Sequence, residues 1–133
     1  MLIIKRPSTL PSDVIDYIEA SLMPGLPQTL GNDFLKLAVA EDSLGRTCIY
    51  VHCEVPAEHY TEDVRKYSLN IAKLTAPVLL QYPAIECLVT RFDFYDDKIS
   101  ISDDWFDRDD VVAWDEGRIG DEEFLKRGNS YWQ

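Results

Sequence analysis

The chain has 133 residues, of which 46% are hydrophobic, so it fits one ordinary globular domain and not a disordered acidic segment. Its net charge is −11, and the sequence lacks the basic face that binding to nucleic-acid phosphates requires. No apolar run approaches the roughly 20 residues of a membrane span or forms a signal segment at the start. We therefore expect a single cytoplasmic domain over residues 1–133, without membrane contact; the alternative is a processed secreted chain given without its signal segment.

The first predicted element is an amphipathic helix that starts at Ser12 or Asp13 and stops at Pro24. Residues 26–33 read as a turn-rich connector. Two runs of alternating polarity follow at 34–41 and 46–55, and the short loop between them predicts a β-hairpin. In the first run, one face is expected to carry Leu35, Leu37 and Val39.

The longest predicted element is a helix of about 18 to 20 residues that begins near Thr61, because apolar residues recur there at spacings of three and four. Pro77 lies inside this helix and is expected to bend it, and Pro83 ends it. Residues 84–102 then predict a second hairpin that turns at 96–97.

The C-terminal part predicts two short helices and a frayed tail. Asp107 and Asp110 resemble an acidic capping box at the start of the first helix, and Gly117 is a natural stop. The second helix has acids first and Lys126 with Arg127 last, as the helix dipole favours. The whole order is α-ββ-α-ββ-α-α, which predicts an α+β two-layer sandwich. Its four-stranded, mostly antiparallel sheet carries the long central helix on one face.

The three cysteines, Cys48, Cys53 and Cys87, lie in apolar strand-like runs without a CxxC motif. We expect all three to be reduced and buried. The sequence also lacks the glycine and the alternating ligands of a calcium loop, so we expect neither a metal ion nor a cofactor.

Acidity is concentrated in the aromatic-rich segment 93–133, which packs on the domain or extends from it. Residues 93–123 hold thirteen acids against three bases, and all three tryptophans lie after residue 104. This pattern predicts a non-enzymatic protein-binding domain of the immunity, chaperone or adaptor type, which presents an acidic surface to a basic protein partner. The residues expected to bind the partner are Asp103, Asp104, Trp105, Asp107, Asp109, Asp110 and Trp114.

Two alternatives belong to other classes. If the apolar residues of both hairpins face the central helix, then Tyr50, His52, Glu54 and Arg91 share the opposite sheet face, where they form a ligand face for a small enzyme or a ligand-binding domain. A nucleic-acid mimic also accounts for the acidity, provided that its carboxylates are spaced like phosphates. The sequence leaves the oligomeric state open.

Overall fold

The computed structural model describes residues 6–7, 10–56, 60–95 and 99–132. The strands are β1 (Arg6–Pro7), β2 (Phe34–Glu41), β3 (Thr47–Pro56), β4 (Cys87–Tyr95), β5 (Ile99–Asp107) and β6 (Asn129–Trp132). The helices are α1 (Ser12–Leu22), α2 (Gly25–Leu30), α3 (Tyr60–Gln81), α4 (Arg108–Asp115) and α5 (Asp121–Arg127), with a 3-10 turn at Gly31–Asp33. The predicted α+β class is confirmed.

The sheet is mixed, and its strands follow chain order from β1 to β6. Both predicted hairpins are antiparallel, whereas β3 and β4 run parallel because α3 crosses over between them. The predicted turn at 96–97 lies outside the described residues. None of the helices in the described ranges combines the length and apolar character needed to cross a lipid bilayer.

All five helices contribute to one hydrophobic core on a single face of the sheet. Ile18 of α1, Leu26 of α2 and Ile71 of α3 are fully buried there against Ile49 of β3. Phe124 of α5 stacks on this same core. The opposite sheet face carries a smaller apolar cluster, whose buried members are Ala40, Cys48, Tyr50, Cys87, Val89 and Trp105.

Three local expectations were wrong. The connector after α1 contains the helix α2, because Leu26 and Leu30 lie one turn apart and both reach the core. The expected frayed tail instead forms strand β6 on the edge of β5. A register shift between Phe34 and Lys36 turns Phe34 toward the core and leaves Leu35 46% exposed, so the expected alternation does not hold at the start of β2.

The expectation of three reduced cysteines was also wrong. A disulfide joins Cys48 to Cys87, although Cys53 is a free, buried thiol as expected. The bonded pair is 39 residues apart in the chain, yet the parallel register of β3 and β4 puts the two residues side by side on one face, with Cα atoms 4.7 Å apart. The sequence contains no signal for that register.

Candidate functional site

The sheet face opposite the helices brings together polar residues from four neighbouring strands. His52 of β3 lies between Lys36 of β2 and Arg91 of β4, and Arg91 pairs in register with Asp103 of β5. Tyr50 lies in the next row along β3, between Ala38 and Val89. A pocket of about 100 Å³ opens among them, and its lining consists of Lys36, Ala38, Tyr50, Val51, His52, Val89, Arg91 and Asp103.

A bidentate ion pair forms one wall of the pocket. Arg91 Nε donates to Asp103 Oδ1 at 2.7 Å, and Arg91 Nη2 donates to Asp103 Oδ2 at 2.9 Å. The Asp103 side chain is fully buried, whereas that of Arg91 is 32% exposed. The hydrogen bonds to Asp103 raise the pKa of the Arg91 guanidinium above its ordinary value, so Arg91 is a permanent cation at the pocket wall.

The phenol of Tyr50 is a second buried polar group among the residues that line the pocket. Its hydroxyl is shielded from solvent and has no hydrogen-bond partner among the described residues. Burial raises the pKa of Tyr50 above its ordinary value, and the negative charge of Asp42 raises it further. The phenol is therefore neutral across the physiological range, and its O–H is available as a donor.

The remaining polar wall comes from His52 and Lys36. His52 Nε2 lies 2.9 Å from Asp93 Oδ2, in an electrostatic contact that lacks the alignment of a hydrogen bond. Lys36 is exposed and forms no ion pair with any described residue. Lys36 is therefore a positive charge at the pocket mouth that no described residue neutralises, whereas Asp103 balances Arg91.

The size of the pocket limits what it can hold. A volume of about 100 Å³ accommodates several water molecules or one small functional group, but not a drug-sized ligand, whose sites measure about 300–1,000 Å³. A group that accepts hydrogen bonds suits the donor on Tyr50 and the ammonium of Lys36.

Three of the four residues predicted for the ligand face line this pocket. Tyr50, His52 and Arg91 meet there, whereas Glu54 lies one row further along, beside Asp93, and is not part of the lining. The sequence prediction missed Lys36 and Asp103. Each of the two lies directly opposite a predicted site residue in one of the predicted hairpins. The sequence could have indicated them only if the register of each hairpin had been known.

The residues predicted to bind a basic partner do not form one surface. Asp103 is fully buried and Trp105 is 8% exposed, so neither is available to a partner, and that part of the prediction was wrong. Both lie in β5, on the sheet face opposite the core, where Asp103 binds Arg91. Trp114 is half-buried, donates its indole N–H to Asp121 at 2.8 Å and stacks on Phe124. Trp114 therefore holds α4 to α5.

The other predicted acids lie in the second half of β5 or in the first turn of α4. Asp104 is half-buried within β5, and Asp109 is exposed. Asp107 is 61% exposed and lies 3.6 Å from Arg46, and Asp110 accepts a hydrogen bond from Arg127 at 3.0 Å. Asp107 makes no side-chain cap on α4, so the expected capping box does not form.

An open cleft of about 470 Å³ lies at this end of the sheet. Its lining combines four carboxylates with two guanidinium groups, from Arg46, Glu86, Asp107, Arg108, Asp109 and Asp110. Arg108 is anchored to the segment that joins α3 to β4, because its Nη1 donates to the carbonyl oxygens of Tyr82 and Ile85 at 3.2 Å.

Comparison of the chain with protein-family models, curated proteins and solved structures yields no match.

Proposed function

We propose that the chain binds a small anionic ligand of the carboxylate class in the pocket on the open sheet face. The observation that carries the proposal is the buried hydroxyl of Tyr50, a residue that lines the pocket; this hydroxyl has no hydrogen-bond partner among the described residues. A buried polar group without a partner costs about 1–3 kcal/mol, and a ligand that accepts its hydrogen bond removes that cost.

The positive charge of Lys36 favours an anion as the ligand. The protein carries a net charge of −11, yet the cation of Lys36 at the pocket mouth is not neutralised by a described residue. A carboxylate has two oxygens, so one can accept from Tyr50 while the other contacts Lys36. The Arg91–Asp103 pair forms the neighbouring wall of the pocket, and its two hydrogen bonds hold the guanidinium in one orientation.

A ligand-free measurement tests the unpaired hydroxyl first. Tyr50→Phe removes only that group, so we expect the free energy of unfolding to stay unchanged or to rise by up to about 1–3 kcal/mol. Urea unfolding of the two proteins measures the difference. A loss of more than about 1 kcal/mol would show that the hydroxyl already has a partner, and the proposal would lose its main support.

A panel of small carboxylates, read by the melting temperature of the protein, tests binding itself. We expect at least one compound to raise the melting temperature of the parent, and the rise to disappear in Tyr50→Phe and Lys36→Gln. Lys73→Gln is the matched control, because Lys73 is 69% exposed and pairs with Asp115 on α4, away from the pocket. An equal response in all four proteins would place the ligand elsewhere.

The second candidate is the docking of a basic protein segment at the cleft beside α4. The observation that favours it is the exposed carboxylate set of that cleft, with Glu86, Asp107 and Asp109 facing solvent. Exposed charges of this kind accelerate association more than they add affinity. Asp103 and Trp105 are buried, so this surface is smaller than the sequence predicted.

Capture from a native lysate at low and at about 0.5 M salt tests this second candidate, because screening shortens the range of exposed charges. The variant Glu86→Gln/Asp107→Asn/Asp109→Asn should lose a salt-sensitive partner that the parent retains. Asp13→Asn/Asp16→Asn on α1 is the charge control, since both residues are exposed on another element. A partner retained equally by all three proteins would exclude the cleft.

A further inference from the structure

A buried carboxylate lies against the two sulfurs of the open sheet face. The Asp42 side chain is fully buried, and its Oδ2 lies 3.9 Å from Cys48 Sγ. Cys48 and Cys87 are themselves fully buried. One donor atom from each of these three residues lies within 4.8 Å of the other two.

The carboxylate is held in place by the loop that joins β2 to β3. Asp42 Oδ1 accepts from the backbone N–H groups of Leu44 and Arg46 at 2.8 and 2.9 Å, and Oδ2 accepts from Arg46 Nε at 2.9 Å. Each carboxylate oxygen accepts about two hydrogen bonds, so Oδ2 retains a lone pair after its bond to Arg46. That oxygen is the one nearest Cys48.

The distances suit a tetrahedral thiophilic cation. Zinc binds sulfur at about 2.3 Å and carboxylate oxygen at about 2.0 Å, so tetrahedral angles separate a bound sulfur from a bound oxygen by about 3.5 Å. The observed separation between Cys48 Sγ and Asp42 Oδ2 is 3.9 Å. The two cysteine Cα atoms, 4.7 Å apart, already hold the second sulfur on the same side of the sheet.

Charge also balances at this position. Two thiolates and the Asp42 carboxylate carry three negative charges, and the guanidinium of Arg46, paired with Asp42, supplies one positive charge. A divalent cation makes the buried group neutral, which is the condition for charges to persist in a low-dielectric interior. Soft thiolate ligands favour zinc over magnesium or calcium.

We propose that Cys48, Cys87 and Asp42 form a redox-controlled zinc site, which takes up one Zn²⁺ when the disulfide is reduced and releases it when the disulfide re-forms. In the reduction, a small dithiol transfers two electrons and two protons to the Cys48–Cys87 bond and becomes a cyclic disulfide itself. Zn²⁺ then binds both sulfurs with loss of their two protons. In the re-oxidation, a small cyclic disulfide accepts two electrons from the two thiolates and two protons from solvent and becomes a dithiol, the Cys48–Cys87 bond re-forms, and Zn²⁺ is released. This site is separate from the carboxylate pocket, and neither proposal depends on the other.

Titration of the reduced protein with Co²⁺, in the absence of oxygen, tests the proposal. Cobalt substitutes for zinc, and thiolate ligation produces sulfur-to-cobalt charge-transfer absorption that carboxylates and imidazoles do not. We expect this absorption to saturate at one equivalent and to disappear on addition of Zn²⁺. The oxidised protein should show none. The absence of the absorption from the reduced, folded protein would overturn the proposal.

Single substitutions assign the ligands. Cys48→Ser and Cys87→Ser should each lower the affinity for Zn²⁺ by at least about 100-fold, and Asp42→Asn should lower it by about 10- to 100-fold. Cys53→Ala is the matched control, because Cys53 is a buried thiol on the opposite sheet face and should leave the affinity unchanged. Equal affinities for the parent and Cys87→Ser would refute the assignment.

A measurement on the parent protein covers the case in which the ligand variants do not fold. Saturating Zn²⁺ should slow the reaction of two of the three thiols with an alkylating reagent in the reduced protein, and should raise its melting temperature. The oxidised parent should show neither effect. Protection of no thiols, or a melting temperature that zinc does not change, would contradict the site.

Discussion

Replacing either partner of the ion pair between Arg91 and Asp103 should destabilise the protein by a different amount, because Asp103 is fully buried and Arg91 is not. Replacing Arg91 by leucine leaves the Asp103 carboxylate inside the protein without its two charge-assisted hydrogen bonds. Breaking a buried pair in this way costs about 3–5 kcal/mol, a large part of the 5–15 kcal/mol by which a domain is typically stable.

The reverse substitution should cost less. Asp103→Leu leaves the Arg91 guanidinium, whose side chain is 32% exposed and can turn toward water, so we expect a loss of about 1–3 kcal/mol. The double variant Arg91→Leu/Asp103→Leu removes both charges and should be more stable than Arg91→Leu alone. The coupling energy between the two sites is the summed loss of the two single variants minus the loss of the double variant, and we expect it to be about 2–3 kcal/mol.

Urea unfolding followed by far-ultraviolet circular dichroism measures all three variants. Asp109→Asn is the control, since Asp109 is exposed and its substitution should change stability by no more than about 0.5 kcal/mol. If Arg91→Leu costs as little as this control, Asp103 is solvated. In that case Asp103 is not buried, and it belongs to the acidic surface that the sequence predicted.

Three further predictions concern the rest of the fold. Gly128→Ala should lower the free energy of unfolding in urea by about 1–3 kcal/mol, because the new methyl carbon would lie 2.6 Å from the buried ring of Phe106. An unchanged free energy of unfolding would show that the ring can move. Burial raises the pKa of the Cys53 thiol from 9.0 to about 12, so the unfolded chain loses this proton first. Between pH 9 and about pH 12, the free energy of unfolding of the parent should therefore fall by about 1.4 kcal/mol per pH unit more than that of Cys53→Ala. The same pH dependence in both proteins would contradict the burial of Cys53. Pro77→Ala should change stability by less than about 1 kcal/mol, because a restored helix bond offsets the lost rigidity of the unfolded chain; a loss of several kcal/mol would show that packing requires the proline.

Much of the secondary structure was predictable because it depends on neighbours in the chain. The spacing of apolar residues predicted α1 and α3, and alternation predicted both hairpins. The acids and bases of α5 lie at the ends that the helix dipole favours. The helix α2 was missed because Gly25 and Pro27 read as turn residues, and only the contacts of Leu26 and Leu30 with the core outweigh that preference.

The candidate sites depend on contacts that local sequence does not encode. The alternation of side chains along β3 was enough to predict that Tyr50 and His52 lie on one face of the sheet. The register between β4 and β5 was needed to see that Asp103 faces Arg91, and without it Asp103 looked like one more surface acid in an acidic segment. The parallel register between β3 and β4 was needed to bring Cys48 to Cys87.

The class of the fold, the order of its main elements and the inward faces of its central strands could be predicted from the sequence, because helix and strand periodicities are local properties. The burial of the polar residues and their pairing with one another could not be predicted in this way. Burial and pairing depend on how distant strands align, and a shift of one residue moves a side chain to the opposite face of the sheet. The ion pair of Asp103 with Arg91 and the disulfide of Cys48 with Cys87 both depend on this alignment of distant strands.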